Sequence, residues 1–128
     1  MPAEGSGARR FLVIGCGSVG SRHIANLVTL DAGTIVAYDP REDRRRDAQA
    51  RLGVETVETL DEAWDGAPEA ALITTPTSMH LGPALDAARH GCHLFIEKPL
   101  AHEMDGVDAL LAEVGSRGLV TLVGCNMR

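Results

Sequence analysis

The chain carries a single lysine, Lys98, in the segment IEKPL, where an apolar run ends between Glu97 and Pro99. An ammonium group is a compact proton donor whose pKa can be lowered by desolvation, whereas an arginine side chain stays protonated. All the remaining Lys/Arg positions are arginines, so the chain simply prefers arginine. The role of Lys98 therefore depends on which other groups the fold brings to the same place.

The segment GCGSVG at 15–20 supplies Gly15, Gly17 and Gly20 directly after an apolar run. In a G-x-G-x-x-G turn the glycines permit a tight turn, close approach of a pyrophosphate and close packing of helix on strand. The N-terminus of the following helix presents unpaired N–H groups to the anion. With Ser18 and Val19 between the glycines, this turn is a candidate dinucleotide site, and a plain turn is the alternative.

Asp39 ends the second apolar run, 19 residues after Gly20. A carboxylate there can accept hydrogen bonds from ribose hydroxyls and would repel a 2′-phosphate, which favours NAD over NADP. Asp39 could instead be only a turn residue before Pro40. Alternatively, Arg41 and the arginine run 44–46 could receive the 2′-phosphate of NADP, although three adjacent arginines on a helix point in different directions and usually form a solvated face.

Apolar runs alternate with helical patterns along the chain. Strands are predicted at 10–15, 34–39, 54–57, 70–75, 92–97 and 119–124, and helical segments at 18–30, 41–52, 60–64, 79–90 and 103–117. The strands are continuously apolar, as in a parallel sheet that helices cover on both faces. We therefore predict one doubly wound α/β domain of the Rossmann type, with a parallel six-stranded sheet, at 9–128 after a flexible leader at 1–8.

Two of the predicted helices carry an apolar stripe. The positions spaced i, i+3, i+4 and i+7 are Leu81, Ala84, Leu85 and Ala88 in one helix, and Val107, Leu110, Leu111 and Val114 in the other. Such a stripe marks the face that a helix buries. We expect both helices to pack on the sheet.

In doubly wound sheets, ligands bind outside the carboxyl ends of the strands. Polar groups follow several of these ends, so that one rim gathers the glycine turn, Asp39, Thr74, Thr75, Pro76, Glu97, Lys98 and Asn126. His80 is a further candidate for cofactor contact. A helix-terminal histidine that bonds a nearby backbone group is its equal alternative.

Composition limits the function classes. The 128 residues are 45% hydrophobic and 23% charged, with a net charge of −6, which indicates a soluble globular protein and argues against nucleic-acid binding. No apolar stretch reaches the about 18 residues of a membrane span, and the N-terminus lacks a hydrophobic signal core, so we expect a cytoplasmic protein. The three cysteines form no C-x-x-C pair, which favours reduced thiols over a disulfide framework or a metal site.

In their order and spacing, four segments resemble the N-terminal half of the Gfo/Idh/MocA oxidoreductases, which act mostly on sugars, inositols and related polyols. They are GCGSVGSRH (15–23), ITTPTSMH (73–80), EKPL (97–100) and VGCNMR (123–128). The resemblance implies that the glycine turn binds the pyrophosphate, that Asp39 binds adenosine ribose and that Thr75-Pro76 lies along the dinucleotide. It further implies that Glu97 and Lys98 stand near the nicotinamide ribose and the substrate hydroxyl. Lys98 would then assist proton transfer while hydride moves to or from the cofactor.

Members of that family continue into a second α/β domain that supplies the substrate pocket, whereas this chain stops at Arg128. We therefore expect the NAD(P)-binding domain of an oxidoreductase that acts on a sugar-like or polyol hydroxyl only together with such a domain. A stand-alone, non-catalytic dinucleotide-binding or redox-sensing module is the alternative. A methyltransferase using S-adenosylmethionine would explain the glycine turn and Asp39 but not 97–99. An apolar face left uncovered would favour self-association.

Overall fold

The computed structural model describes residues 9–74, 81–97 and 107–124. The strands are β1 (Arg10–Ile14), β2 (Thr34–Tyr38), β3 (Glu55–Val57), β4 (Ala70–Ile73), β5 (His93–Glu97) and β6 (Thr121–Gly124). The helices are α1 (Ser18–Thr29), α2 (Glu42–Asp47), α3 (Leu60–Asp65), α4 (Leu81–Arg89) and α5 (Val107–Arg117), and a π-helical turn at Ala48–Leu52 extends α2. Within the described part of the chain, no helix is both long and apolar enough to cross a membrane.

The strands form one sheet in the order β3-β2-β1-β4-β5-β6, and every neighbouring pair is parallel. The chain first builds outward from β1 to β3 and then crosses to β4 on the other side of β1. The strand order therefore reverses between β1 and β4, the place where doubly wound folds bind ligands. The prediction of an α/β domain of the Rossmann type with a parallel sheet is confirmed.

The central strand β1 contributes to two hydrophobic clusters, one on each face of the sheet. Leu12 and Ile14 pack into the cluster that α3, α4 and α5 cover, and Val13 packs into the other cluster with Ile24 of α1. All four side chains are 1% exposed or less. Burial on both faces explains why this strand reads as a continuous apolar run.

Helix α4 buries the face that its spacing predicts. Ala84 and Ala88 are fully buried, and Leu85 packs against the same cluster. The side chain of Leu81 lies outside the described residues. Small alanines on this face let the helix approach the sheet closely.

Helix α5 buries a narrower stripe than its sequence suggests. Leu110 is 2% exposed and Val114 packs against the core, but Leu111 is 58% exposed. The predicted burial of Leu111 is wrong because α5 packs mainly against α4, so that only the side turned toward α4 is covered.

Close packing of α1 on the sheet depends on Gly20. A Cβ atom at this position would lie 1.8 Å from the carbonyl oxygen of Gly15 and 2.8 Å from the hydroxyl oxygen of Thr74. The first neighbour is backbone and cannot move without shifting the glycine turn. Glycine is therefore required here for packing.

We expect Gly20→Ala to lower the free energy of unfolding by about 3 kcal/mol, because the added methyl group must push α1 off the sheet. Gly115→Ala is the matched control, since a Cβ there meets open space inside α5. It should raise stability by about 0.5–1 kcal/mol through helix propensity. Urea unfolding followed by the fluorescence of Trp64, the only tryptophan, measures both; equal effects would contradict the packing argument.

Candidate functional site

The carboxylate of Asp39 links the turns that follow β1 and β2. It is 3% exposed, and its Oδ2 accepts a hydrogen bond from the backbone N–H of Cys16 at 2.8 Å. Its Oδ1 accepts one from the backbone N–H of Arg41, also at 2.8 Å. The turn role before Pro40 is therefore present, and the same carboxylate bonds the backbone of the glycine turn. Ribose binding by Asp39 stays a prediction.

The glycine turn leaves the N-terminus of α1 open. Gly15 has φ of 103°, a left-handed conformation that favours glycine, and its N–H donates to the carbonyl oxygen of Tyr38 at 2.8 Å. Gly17 is the N-cap of α1 and has no side chain to bond the first helical N–H groups. An anion at this helix end would therefore find backbone donors and a favourable dipole.

Thr74, directly after β4, bonds the glycine turn that follows the neighbouring strand β1. Its backbone N–H donates to the carbonyl oxygen of Ile14 at 2.9 Å. Its hydroxyl oxygen lies 2.7 Å from the carbonyl oxygen of Gly15 and 3.0 Å from that of Ile14. The hydroxyl expected to contact the cofactor therefore bonds to the turn itself, and a cofactor contact of Thr74 stays a prediction.

The arginine run of α2 does not form a uniformly solvated face. Arg45 donates from Nη1 to the backbone oxygen of Asp39 at 2.8 Å, and Nη1 of Arg44 lies 3.8 Å from its Oδ2. Arg46 instead points outward and pairs with Glu42 at 2.7 Å. The three arginines thus point in different directions: Arg46 lies on the solvated face, whereas Arg44 and Arg45 are half-buried and turn toward Asp39.

A cavity of about 450 Å³ opens beside the N-terminus of α1. It is lined by Cys16, Gly17, Ser21, Asp43, Arg44, Asp47 and Arg51. The two acids on its wall have arginine partners, since Asp47 binds Arg51 at 2.6 Å and Asp43 binds Arg41 at 2.7 Å. Of the two arginines in this lining, Arg44 has its guanidinium next to Gly17, whereas Arg51 pairs with Asp47.

The family follows from comparison with known proteins. Residues 9–125 match the model of an oxidoreductase family with an NAD-binding Rossmann fold, Gfo/Idh/MocA. The chain belongs to the Gfo/Idh/MocA family. The resemblance carried by the four sequence segments is thereby confirmed.

Two curated relatives in this family are inositol dehydrogenases. Myo-inositol 2-dehydrogenase of Thermotoga maritima is 32% identical over 122 residues, which are 93% of this chain and 36% of that protein. Scyllo-inositol 2-dehydrogenase (NAD(+)) of Bacillus subtilis is 32% identical over 119 residues, 90% of this chain and 35% of that protein. A solved structure of GenD2 from gentamicin A biosynthesis, in complex with NAD, has a TM-score of 0.80 at 27% identity and covers 91% of this chain and 34% of that one. The chain spans about a third of the length of each.

Several residues predicted for the Gfo/Idh/MocA site lie outside the described residues, namely Thr75, Pro76, His80, Lys98 and Asn126. The side chains of Ser18 and Glu97 are likewise not described, although their backbones belong to α1 and β5, and Val19 is half-buried in the first turn of α1. In the sheet register, Ile14 pairs with Ile73 and Ile73 with Ile96. Glu97 therefore comes at the same edge of the sheet as the glycine turn.

The sequence reasoning missed that Arg44 and Arg45 turn back to Asp39. A partial signal was present. Asp39 is followed by Pro40 and Arg41, and the acidic pair at 42–43 favours a helix start there, so Arg44 and Arg45 take the third and fourth helical positions. The sequence thus indicates that the three arginines point in different directions, but not that two of them turn back to Asp39.

Cys16, in the glycine turn, and Cys92, just before β5, are both buried free thiols. Burial, and next the nearby Asp39 carboxylate, raises the pKa of Cys16 to about 12, and burial raises the pKa of Cys92 to about 11. Both thiols donate to backbone oxygens, of Tyr38 at 3.6 Å and of Pro68 at 3.3 Å. Within residues 9–74, 81–97 and 107–124, no three His, Cys, Asp or Glu side chains cluster as metal ligands would.

We expect Thr74→Val to lower the free energy of unfolding by about 1 kcal/mol, because valine keeps the shape but removes the donor to the glycine turn. Thr34→Val, at the exposed start of β2, is the matched control and should change stability by less than about 0.5 kcal/mol. Urea denaturation curves compare the two. A Thr74 variant as stable as the control would show that the hydroxyl does not hold the turn.

We expect iodoacetamide at pH 8 to alkylate Cys16 and Cys92 about a hundredfold more slowly in the native chain than in urea, as read by peptide mass spectrometry. Their pKa values are raised from 9.0 on folding, so the unfolded state releases these protons first.

The raised pKa values of these thiols also contribute to the free energy of unfolding. This contribution is complete below pH 9 and is lost as pH rises toward 12. Cys16→Ala should flatten that decline; an unchanged decline would contradict the assignment.

Proposed function

We propose that the chain binds NAD and forms the cofactor-binding part of a dehydrogenase that oxidises a hydroxyl group of a sugar or polyol. The observation that carries the proposal is the hydrogen bond from Cys16 N–H to Asp39 Oδ2. It joins the proposed phosphate-binding turn after β1 and the proposed ribose-binding acid after β2 into one unit. The inositol dehydrogenases and the NAD-bound relative at 27% identity support the same assignment.

The residues present fit a dinucleotide. At Gly17, the atoms next to the position of a Cβ are those of the Arg44 guanidinium, the mobile end of a flexible side chain. A pyrophosphate can therefore approach the backbone here and reach the N-terminus of α1. Each oxygen of Asp39 accepts one backbone hydrogen bond and keeps a lone pair that can accept from a ribose hydroxyl. A 2′-phosphate would lie against this buried carboxylate, which favours NAD over NADP. When bound, NAD supplies the hydride acceptor.

For the chemical step we propose that Lys98 accepts the proton of the substrate hydroxyl, with Glu97 beside it. The support is the register of β5, which ends at Glu97 on the edge that carries the glycine turn. A lysine suits this work because desolvation can bring its pKa toward neutrality. Substrate recognition is assigned to a further domain, and we propose a cytoplasmic setting, where free thiols persist.

NADH should bind the folded chain, and Gly17→Ala should weaken binding about tenfold or more, because the methyl group occupies the side from which the pyrophosphate approaches. The variant should fold normally, since φ of −72° at Gly17 suits any residue. Gly82→Ala, which meets open space in α4, is the control and should bind as the wild type does. Isothermal titration calorimetry gives the affinities.

Two results would count against NAD binding. One is the absence of any NADH binding at millimolar concentration to a sample whose Trp64 fluorescence and circular dichroism report a folded chain. The other is displacement of NADH by S-adenosylmethionine at a lower concentration than by NAD itself, which would favour the methyltransferase interpretation.

A further inference from the structure

Arg44 stands on the face of the glycine turn that Gly17 leaves open. Its Nη1 atom lies 3.3 Å from the position that a Cβ at Gly17 would take. The same atom lies 3.8 Å from Oδ2 of Asp39. The guanidinium therefore occupies the entrance between the proposed phosphate-binding turn and the proposed ribose-binding acid.

The contact between Arg44 and Asp39 is too long for a hydrogen bond, which requires about 2.7–3.2 Å. Asp39 already accepts backbone hydrogen bonds from Cys16 and Arg41, so its carboxylate does not depend on the guanidinium. The side chain of Arg44 is 41% exposed. It is thus held loosely by charge attraction and can turn to a nearby partner.

Arg45 and Arg46 on the same helix are held differently. Arg45 donates to the backbone oxygen of Asp39 at 2.8 Å, and Arg46 pairs with Glu42 at 2.7 Å on the outer side. Both have a partner at hydrogen-bond distance. Arg44 differs from these two neighbours because its guanidinium lies beside Gly17 and because its distance to the Asp39 carboxylate, 3.8 Å, is longer than a hydrogen bond.

A phosphate that enters at Gly17 meets this guanidinium directly. Because the guanidinium is positively charged and presents a planar fork of donors, we expect it to bind the phosphate rather than to be displaced by it. We propose that Arg44 binds phosphate oxygens of the dinucleotide, and that it exchanges its contact with Asp39 for the phosphate when the ligand binds. The exchange leaves the carboxylate to the ribose hydroxyls. This inference rests on the dinucleotide site proposed above.

The phosphate oxygens could belong to the pyrophosphate, which NAD and NADP share, or to the 2′-phosphate of NADP. The test is isothermal titration calorimetry of the wild type, Arg44→Gln and Arg46→Gln with NADH, NADPH and ADP-ribose. Adenosine, which carries no phosphate, is measured by competition with NADH. Arg46→Gln makes the same change of charge on the same helix, away from the glycine turn.

Arg44→Gln should weaken NADH and ADP-ribose about tenfold or more and leave adenosine within about twofold, because a charge-assisted hydrogen bond to phosphate is lost. Arg46→Gln should stay within about twofold for every ligand. Equal losses for NADH and NADPH assign Arg44 to the pyrophosphate. A loss confined to NADPH would overturn the proposed exchange with Asp39, because Arg44 would then bind only the 2′-phosphate, which replaces the hydroxyl that the carboxylate is proposed to bind. The dependence of NADH or NADPH affinity on salt should also become shallower in Arg44→Gln alone.

The proposal is overturned if Arg44→Gln binds NADH within about twofold of the wild type, whatever happens to NADPH. It is also overturned if adenosine loses as much affinity as NADH, since Arg44 would then act only by positioning Asp39. A folded wild-type chain that binds neither dinucleotide would remove the proposed function itself. Normal binding by the wild type with no change in Arg44→Gln removes the inference about Arg44 alone.

Discussion

A buried carboxylate needs hydrogen-bond donors, and the way Asp39 obtains them organises this end of the molecule. Its two oxygens take backbone N–H groups from the turn after β1 and from the turn after β2. The buried N–H of Cys16, left without its partner, would cost about 1–3 kcal/mol. Thr74 closes the arrangement from β4 by bonding the glycine turn. Three strand ends thus meet around one short turn.

The same groups serve folding and the proposed binding, which limits what a single substitution can show. Loss of the Asp39 carboxylate would remove a ribose acceptor and also leave the N–H groups of Cys16 and Arg41 without their partner. Gly20 is required for folding because the carbonyl oxygen of Gly15 leaves no room for a Cβ atom there. Gly17 differs, because its backbone is relaxed and its open side faces only the tip of Arg44. Folding and binding separate most cleanly at Gly17.

The sequence predicts the fold well because continuous apolar runs and a glycine turn are local signals of a buried parallel strand and its connection. It predicts burial of Leu111 wrongly, because spacing shows which residues share a helix face but not how much of that face a neighbour covers. The orientation of Arg44 and Arg45 depends on where α2 begins relative to the end of β2, which a run of identical residues conceals. The sequence predicts a hydroxyl of Thr74 beside the crevice, but not that its partners are backbone oxygens, because no side-chain pattern indicates a backbone partner.

The weak pairing of Arg44 with Asp39 has a physical logic of its own. A short, desolvated ion pair at the entrance would have to be broken before a ligand could use either group, and breaking such pairs is costly. At 3.8 Å, with the carboxylate already bonded to backbone and the guanidinium partly in water, little is lost when the arginine turns away. A carboxylate already bonded to backbone and a cation without a hydrogen-bond partner among the described residues can therefore lie side by side, one able to accept from hydroxyl groups and the other able to bind an anion.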